Sequence, residues 1–134
     1  MTVTFFIPAE PQPKGSMRAF VPKGWNRPVL TSTNKNLKSY EAVARLVANK
    51  AWDRPILPRE QAVYVELLFV FSKPKSTPKR VVDKVTKPDI DKLIRGTLDA
   101  LTGIVWEDDS QVTKVMARKC FGAPGTHVRI EWLG

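Results

Sequence analysis

The run Ala62 to Phe71, AVYVELLFVF, is the longest β-prone stretch of the chain and constrains its fold more than any other. Alternation places Val63, Val65, Leu67, Phe69 and Phe71 on one side and Tyr64, Glu66, Leu68 and Val70 on the other. Both sides are mostly apolar, which predicts a central strand with both faces mostly covered. Glu66 is its one acid, a semi-buried carboxylate that a metal site built from other segments could recruit.

The remaining elements arrange themselves around this strand. Val3 to Ile7 reads as a first strand ending at Pro8, and Pro11, Pro13 and Gly15 mark an irregular basic connection. Met17 to Val21 reads as a short second strand. The loop Pro22 to Pro28 follows, where Trp25 has a ring able to stack on a base. Thr33 to Trp52 has helical spacing, with Ser32 to Asn34 as N-cap candidates and Leu37, Tyr40, Ala44, Val47, Ala48 and Ala51 on one face. Lys35, Lys38, Arg45 and Lys50 lie on the other face. Pro55 and Pro58 break the chain before the central strand. Ser72 to Lys87 reads as an exposed, mobile loop, and a second helix runs from Pro88 to a stop at Gly103. The runs Gln111 to Phe121 and His127 to Trp132, joined by Gly122-Ala123-Pro124-Gly125, read as a hairpin. The expected fold is α+β (mixed α/β): a single small domain over residues 1–134, with two main helices packed on a mixed sheet.

With 134 residues and 43% hydrophobic content, the chain can bury a core without covalent or metal staples. Its single cysteine, Cys120, excludes an internal disulfide and a cysteine-cluster zinc site. Its single histidine, His127, excludes any site needing several imidazoles. Met1 to Ile7 is too short an apolar run for a signal peptide or a membrane span, so a cytoplasmic protein with no membrane partner is expected.

Charge points to the partner. The chain has 22 Lys and Arg against 13 Asp and Glu, a net +9, which suits a polyanion and above all nucleic acid. The bland alternative is a merely soluble basic protein. Lys14 and Arg18 flank Gly15 and Ser16 in a loop able to offer cations and N–H groups to a phosphate. Lys73, Lys75, Lys79, Arg80, Lys84 and Lys87 crowd the loop after the central strand, placed to hold a phosphate backbone.

Against this basic background, six of the thirteen acids fall within KPDIDKLIRGTLDALTGIVWEDDSQ, residues 87–111. Asp89 and Asp91 sit at the first turn of the second helix, where free N–H groups favour negative charge. Glu107, Asp108 and Asp109 follow its end. A short connection allows the two clusters to converge. Converging carboxylates repel unless a cation lies between them, and hard oxygen ligands suit Mg²⁺ or Mn²⁺. The structural alternative is a surface ladder, Asp91–Arg95–Asp99 at spacings of four, with each pair contributing about 0.2–0.5 kcal/mol. A ladder explains Asp99 but leaves Asp108 and Asp109 without a role.

PDIDKLIRGTLDALTG followed by WEDDSQV resembles the signature of the RusA family of Holliday-junction resolvases, common in bacteria and their prophages. That pattern pairs D-x-D at a helix start with a basic residue in the next turn, then D-A-L, a glycine and D-D-x-Q. The likeness is clearest from Lys87 to Val112. It implies Asp89, Asp91 and Asp109 as catalytic, metal-binding acids, with Asp108 as a further ligand. Arg95 stands where the family commonly has a catalytic lysine, and Lys92 replaces an asparagine, adding positive charge for DNA beside the site. The activity implied is Mg²⁺-dependent cleavage of four-way DNA junctions by paired symmetric nicks, carried out by a homodimer in recombination and repair. Two other functions fit the same residues: a non-catalytic DNA-binding protein, and a metal nuclease acting on forks, flaps or RNA.

Overall fold

The computed structural model describes residues 1–14, 17–20, 29–32 and 36–134, with the backbone alone for 17–20 and 29–32. Trp25, Gly15, Ser16 and Lys35 lie outside the described residues, as does the side chain of Arg18.

All but the first residue of the apolar run forms a nine-residue strand, β4 (Val63–Phe71), whose inward residues Val63, Val65, Leu67 and Phe69 are all at most 3% exposed. Three strands join it: β1 (Thr2–Ile7), β5 (Val112–Phe121) and β6 (Gly125–Glu131), in the order β1-β6-β4-β5. Strand β6 is antiparallel to both β1 and β4, whereas β5 runs parallel to β4. Parallel neighbours require a crossover, and the second helix, α2 (Ile90–Leu101), supplies it. A separate two-stranded ribbon pairs β2 (Met17–Phe20) with β3 (Val29–Ser32). Strand β3 has only four residues and no distinctive pattern, so the sequence did not announce it.

The hairpin expected from the last two runs does not form. β5 and β6 are consecutive, but β4 lies between them, and the chain steps over its end so that Gly125 pairs with Val70. Being apolar on almost every position, β4 buries most when it has a neighbour on each side, and that preference overrides the local turn. Gly125 adopts φ +154°, and a Cβ there would strike the Phe6 ring.

Both helices cover the same face of the sheet. The first, α1 (Leu37–Ala51), buries Leu37, Tyr40, Ala44 and Ala48, and α2 buries Leu93, Gly96, Thr97, Ala100 and Leu101. Trp106, Val105 and Trp52 complete the core. The Tyr40 hydroxyl joins three elements, hydrogen-bonding Thr97 of α2 and Thr126 of β6 at 2.9 Å each. Burial pushes this phenol above its ordinary pKa, against the opposing pull of the two threonines. Arg45, expected on a solvated face, donates to the carbonyls of Ala100 and Thr102 at 2.9 and 3.2 Å, satisfying the C-terminal end of α2. The helix stops as its sequence requires: Gly103 adopts φ +89°, and its amide bonds the Trp106 carbonyl.

Among the described residues no helix covers the other face of the sheet, which corrects the expectation that both faces of β4 are mostly covered. Phe6, Leu68, Met116 and His127 line an open depression of about 610 Å³ there. Glu66 belongs to this side, 3.4 Å from Arg129, with the sheet between it and α2. It is therefore an exposed ion-pair partner and not a member of any site at the acidic helix. Among the described residues no helix is long and apolar enough to cross a membrane.

The loop 72–88 is less free than its composition indicates. Phe121 donates its N–H to the Val82 carbonyl at 2.9 Å, Lys84 donates to the Lys119 carbonyl at 3.2 Å, and Arg118 grips Asp83 at 2.9 Å. Its second half thus lies along the outer edge of β5, satisfying part of the edge that would otherwise be exposed.

Candidate active site and nucleic-acid interface

The start of α2 presents two carboxylates. Asp89 is the N-cap residue, at φ −69° and ψ 140°, yet its side chain makes no capping bond; Asp91 follows in the first turn. Both are exposed, and among the described residues neither has an ion-pair partner. The segment leading into them is held from the sheet: Lys119 of β5 sends its Nζ to the carbonyls of Thr86 and Pro88 at 2.7 and 2.8 Å. The Lys87–Pro88 peptide is cis.

Arg95 stands on the next turn, exposed and with no ion-pair partner among the described residues, so the ladder Asp91–Arg95–Asp99 is absent. Asp99 instead takes Lys14, Nζ to Oδ2 2.9 Å. Lys14 also donates its backbone N–H to the Lys92 carbonyl at 2.9 Å. This close passage of the N-terminal loop explains Gly96, where a Cβ would lie 3.1 Å from the Gln12 carbonyl oxygen. Lys14 thus braces the acidic helix through an ion pair that leaves it 30% exposed.

The second acidic group forms a turn of its own. Asp108 accepts a hydrogen bond from the Ser110 N–H at 2.9 Å and caps the 3₁₀ turn Asp109–Gln111. Arg59 lies 3.8 Å from Asp108 and 3.7 Å from Glu107. The Ser110 backbone N–H, followed by its hydroxyl and, against a smaller opposing desolvation, the Arg59 charge, holds the Asp108 carboxyl below its ordinary pKa of 3.8. A carboxylate with a depressed folded value stabilises the fold above its unfolded pKa and loses that contribution as pH falls through the folded value. The thermal midpoint of wild type should accordingly exceed that of Asp108→Asn near neutrality, with the gap closing on acidification below about pH 4. A gap constant across that range would contradict this.

Gln111 organises the turn and was not singled out as a functional residue. It is 5% exposed, and its Oε1 accepts the N–H groups of Glu107 and Asp108 at 2.9 Å each. Its Nε2 donates to the carbonyls of Pro58 at 2.7 Å, Gln61 at 3.1 Å and Leu57 at 3.4 Å. The spacing of Gln three residues after Asp108 is a capping-box signal that could have revealed it. Lys119 gave no such signal, since a lysine in a strand pattern reads as solvated.

The two acidic groups do not converge within one chain. Asp89 lies at the end of β5 marked by Lys119 and Asp109 at the end marked by Gln111; eight residues of strand separate these by about 25 Å. Helix α2, twelve residues and so about 18 Å long, carries the chain from one end to the other. Among the described residues no three His, Cys, Asp or Glu side chains group to hold a metal ion.

The basic loop divides into cations held inward and cations left outward. Lys73 donates to the carbonyls of Pro78 and Lys79 at 3.0 and 2.9 Å and lies over the Phe121 ring. Lys84 bonds the Thr86 hydroxyl at 2.8 Å and packs on Phe71 and Phe121. Lys75, Lys79, Arg80 and Lys87 are exposed, and Lys92 is half-buried on α2. The exposed four belong to the segment that leads from β4 to Asp89.

An uncharacterized protein of Bacillus subtilis (strain 168), YqaN, is 27% identical over 127 residues, spanning 89% of this chain and 87% of that protein. Residues 8–131 match the family described as endodeoxyribonuclease RusA, a span that takes in both acidic groups and the strands that hold them. The chain belongs to the RusA family of endodeoxyribonucleases.

Proposed function

We propose that the protein is a Mg²⁺-dependent endonuclease that resolves four-way DNA junctions by paired nicks, working in the cytoplasm as a homodimer. The observation that carries this reading is the state of Asp89 and Asp91: exposed at a helix start, with neither a capping bond nor an ion pair among the described residues. Carboxylates that brace a helix would be engaged, as Asp99 and Asp108 are. The donor set is oxygen alone, which suits Mg²⁺ or Mn²⁺ better than zinc. When bound, such an ion activates water and neutralises the non-bridging oxygens of the phosphodiester.

The chain's own groups supply the rest. Asp89 and Asp91 would hold the ion and orient the phosphate beside it. Arg95, one turn on, meets the charge that grows on the scissile group, but its guanidinium keeps its proton and cannot serve as an acid. Lys75, Lys79, Arg80, Lys87 and Lys92 grip the backbone, an affinity that falls with salt. Asp109 lies too far along β5 to join Asp89 in the same chain, so it can contribute there only from a second copy. That separation supports the dimer, and a two-fold dimer suits a two-fold substrate.

The test is cleavage of an immobile synthetic four-way junction with Mg²⁺, beside linear duplex, fork, flap and RNA at matched salt. Paired symmetric nicks in the junction are expected. Preferential cutting of forks, flaps or RNA would replace the resolvase with another metal nuclease. That no three-acid group forms among the described residues of one chain favours a second reading, a DNA-binding protein that does not cut. Tight junction binding without cleavage in Mg²⁺ or Mn²⁺ would establish it.

A further inference from the structure

We infer that Lys119 is a positioning residue for the acidic pair, holding the turn from which Asp89 and Asp91 project; this rests on the reading of those two acids as metal ligands. Lys119 lies on the helix-facing side of β5, half-buried, and its ammonium reaches across to the carbonyls of Thr86 and Pro88 at 2.7 and 2.8 Å. Among the described residues it has no carboxylate partner. A lysine so placed is committed to two backbone oxygens, one on each side of Lys87, and charge-assisted bonds of this length are the strong kind.

The second of those oxygens belongs to the peptide that enters Asp89. Fixing the Pro88 carbonyl fixes the plane of that peptide, and with it the direction in which the Asp89 side chain leaves the backbone. Helix α2 begins at the next residue, and Leu93 donates its N–H to the Asp89 carbonyl at 3.2 Å, so Asp91 inherits the same frame. The strand beneath is itself anchored to the loop: Lys84 donates to the Lys119 carbonyl, and Arg118 holds Asp83. Lys84 adds a bond to the Thr86 hydroxyl at 2.8 Å but does not reach Pro88. Lys119 therefore couples the acidic turn to the sheet. Its positive charge also opposes the mutual repulsion of two neighbouring carboxylates.

The test compares Lys119→Met, which keeps the aliphatic stem but removes the donors, with Lys119→Arg, which keeps charge and donors. Circular dichroism first establishes that both fold; if Lys119→Met does not, Lys119→Gln takes its place. Calorimetric titration of Mn²⁺ into the protein without DNA is expected to show binding weakened about 10- to 100-fold in Lys119→Met and largely restored in Lys119→Arg. The Mg²⁺ needed for half-maximal cleavage should rise in step, with metal-free junction affinity within about threefold of wild type. Unchanged Mn²⁺ binding, or weaker metal-free junction binding with an unaltered Mg²⁺ requirement, would overturn the inference and make Lys119 a phosphate contact. Amide hydrogen exchange separates its failure from failure of the proposed function. Even if wild type neither binds metal nor cuts DNA, exchange at residues 89–93 should be faster in Lys119→Met and not in Lys119→Arg. Equal exchange in all three would refute the positioning role.

Discussion

Asp91→Asn is expected to reduce Mg²⁺-dependent junction cleavage by about 10³-fold or more, a loss of some 4 kcal/mol of transition-state stabilisation. The substitution removes one negative oxygen donor while keeping the shape of the side chain. Asp91 is exposed and makes no ion pair among the described residues, so the fold has little to lose. Only the favourable placement of an anion near the helix N-terminus is forfeited, about 0.3–1 kcal/mol. Junction affinity without metal should stay the same or rise, because a negative charge has gone from a surface that meets phosphate. Gel-shift titration and cleavage time courses on the same junction separate the two effects. A variant that still cuts at the wild-type rate would remove Asp91 from the chemistry.

The largest stability effect is expected at Gln111. Gln111→Leu leaves four backbone groups without the partner described above, the N–H groups of Glu107 and Asp108 and the carbonyls of Leu57 and Gln61, while the Pro58 carbonyl keeps the Gln61 N–H at 2.9 Å. Each buried group so orphaned costs about 1–3 kcal/mol, but those nearest the surface regain water. A net loss of about 3–5 kcal/mol follows, lowering the thermal midpoint by about 10–20 °C. Gln111→Glu should be at least as harmful, since it sets a carboxylate against three carbonyl oxygens in place of a donor. Thermal unfolding followed by circular dichroism decides. A loss below about 1 kcal/mol would mean that water bridges the two loops as well as the amide does.

What could be read in advance follows from the range over which each feature is determined. The inward residues of β4, the apolar face of α2 and the stop at Gly103 are set by periods of two and 3.6 and by one positive φ, all local properties. Strand order is not local. The turn Gly122–Gly125 invited a hairpin, yet β4 takes the place beside β6 because its burial outweighs a short connection. Glu66 shows the same limit in another form: alternation assigns it a face, but not whether helices cover that face. The acids Asp89 and Asp109 are 20 positions apart in the chain and at opposite ends of β5, because the helix between them is twelve residues long. Lys119 could not be read in advance because its partners are backbone atoms, which no side-chain pattern advertises, whereas Gln111 offered only the capping-box spacing after Asp108.

Cys120 is the chain's only thiol, and it is 9% exposed on a strand whose outer edge is lined by the Val82–Lys84 segment. A thiol so enclosed reacts slowly. The molecule is in effect ready for selective labelling: a cysteine introduced at Leu46, 72% exposed on α1, would be the one reactive handle per copy. If two copies associate as proposed, a pair of spin labels there would report the distance between them, with no native residue of the acidic turns, the basic loop or the sheet disturbed.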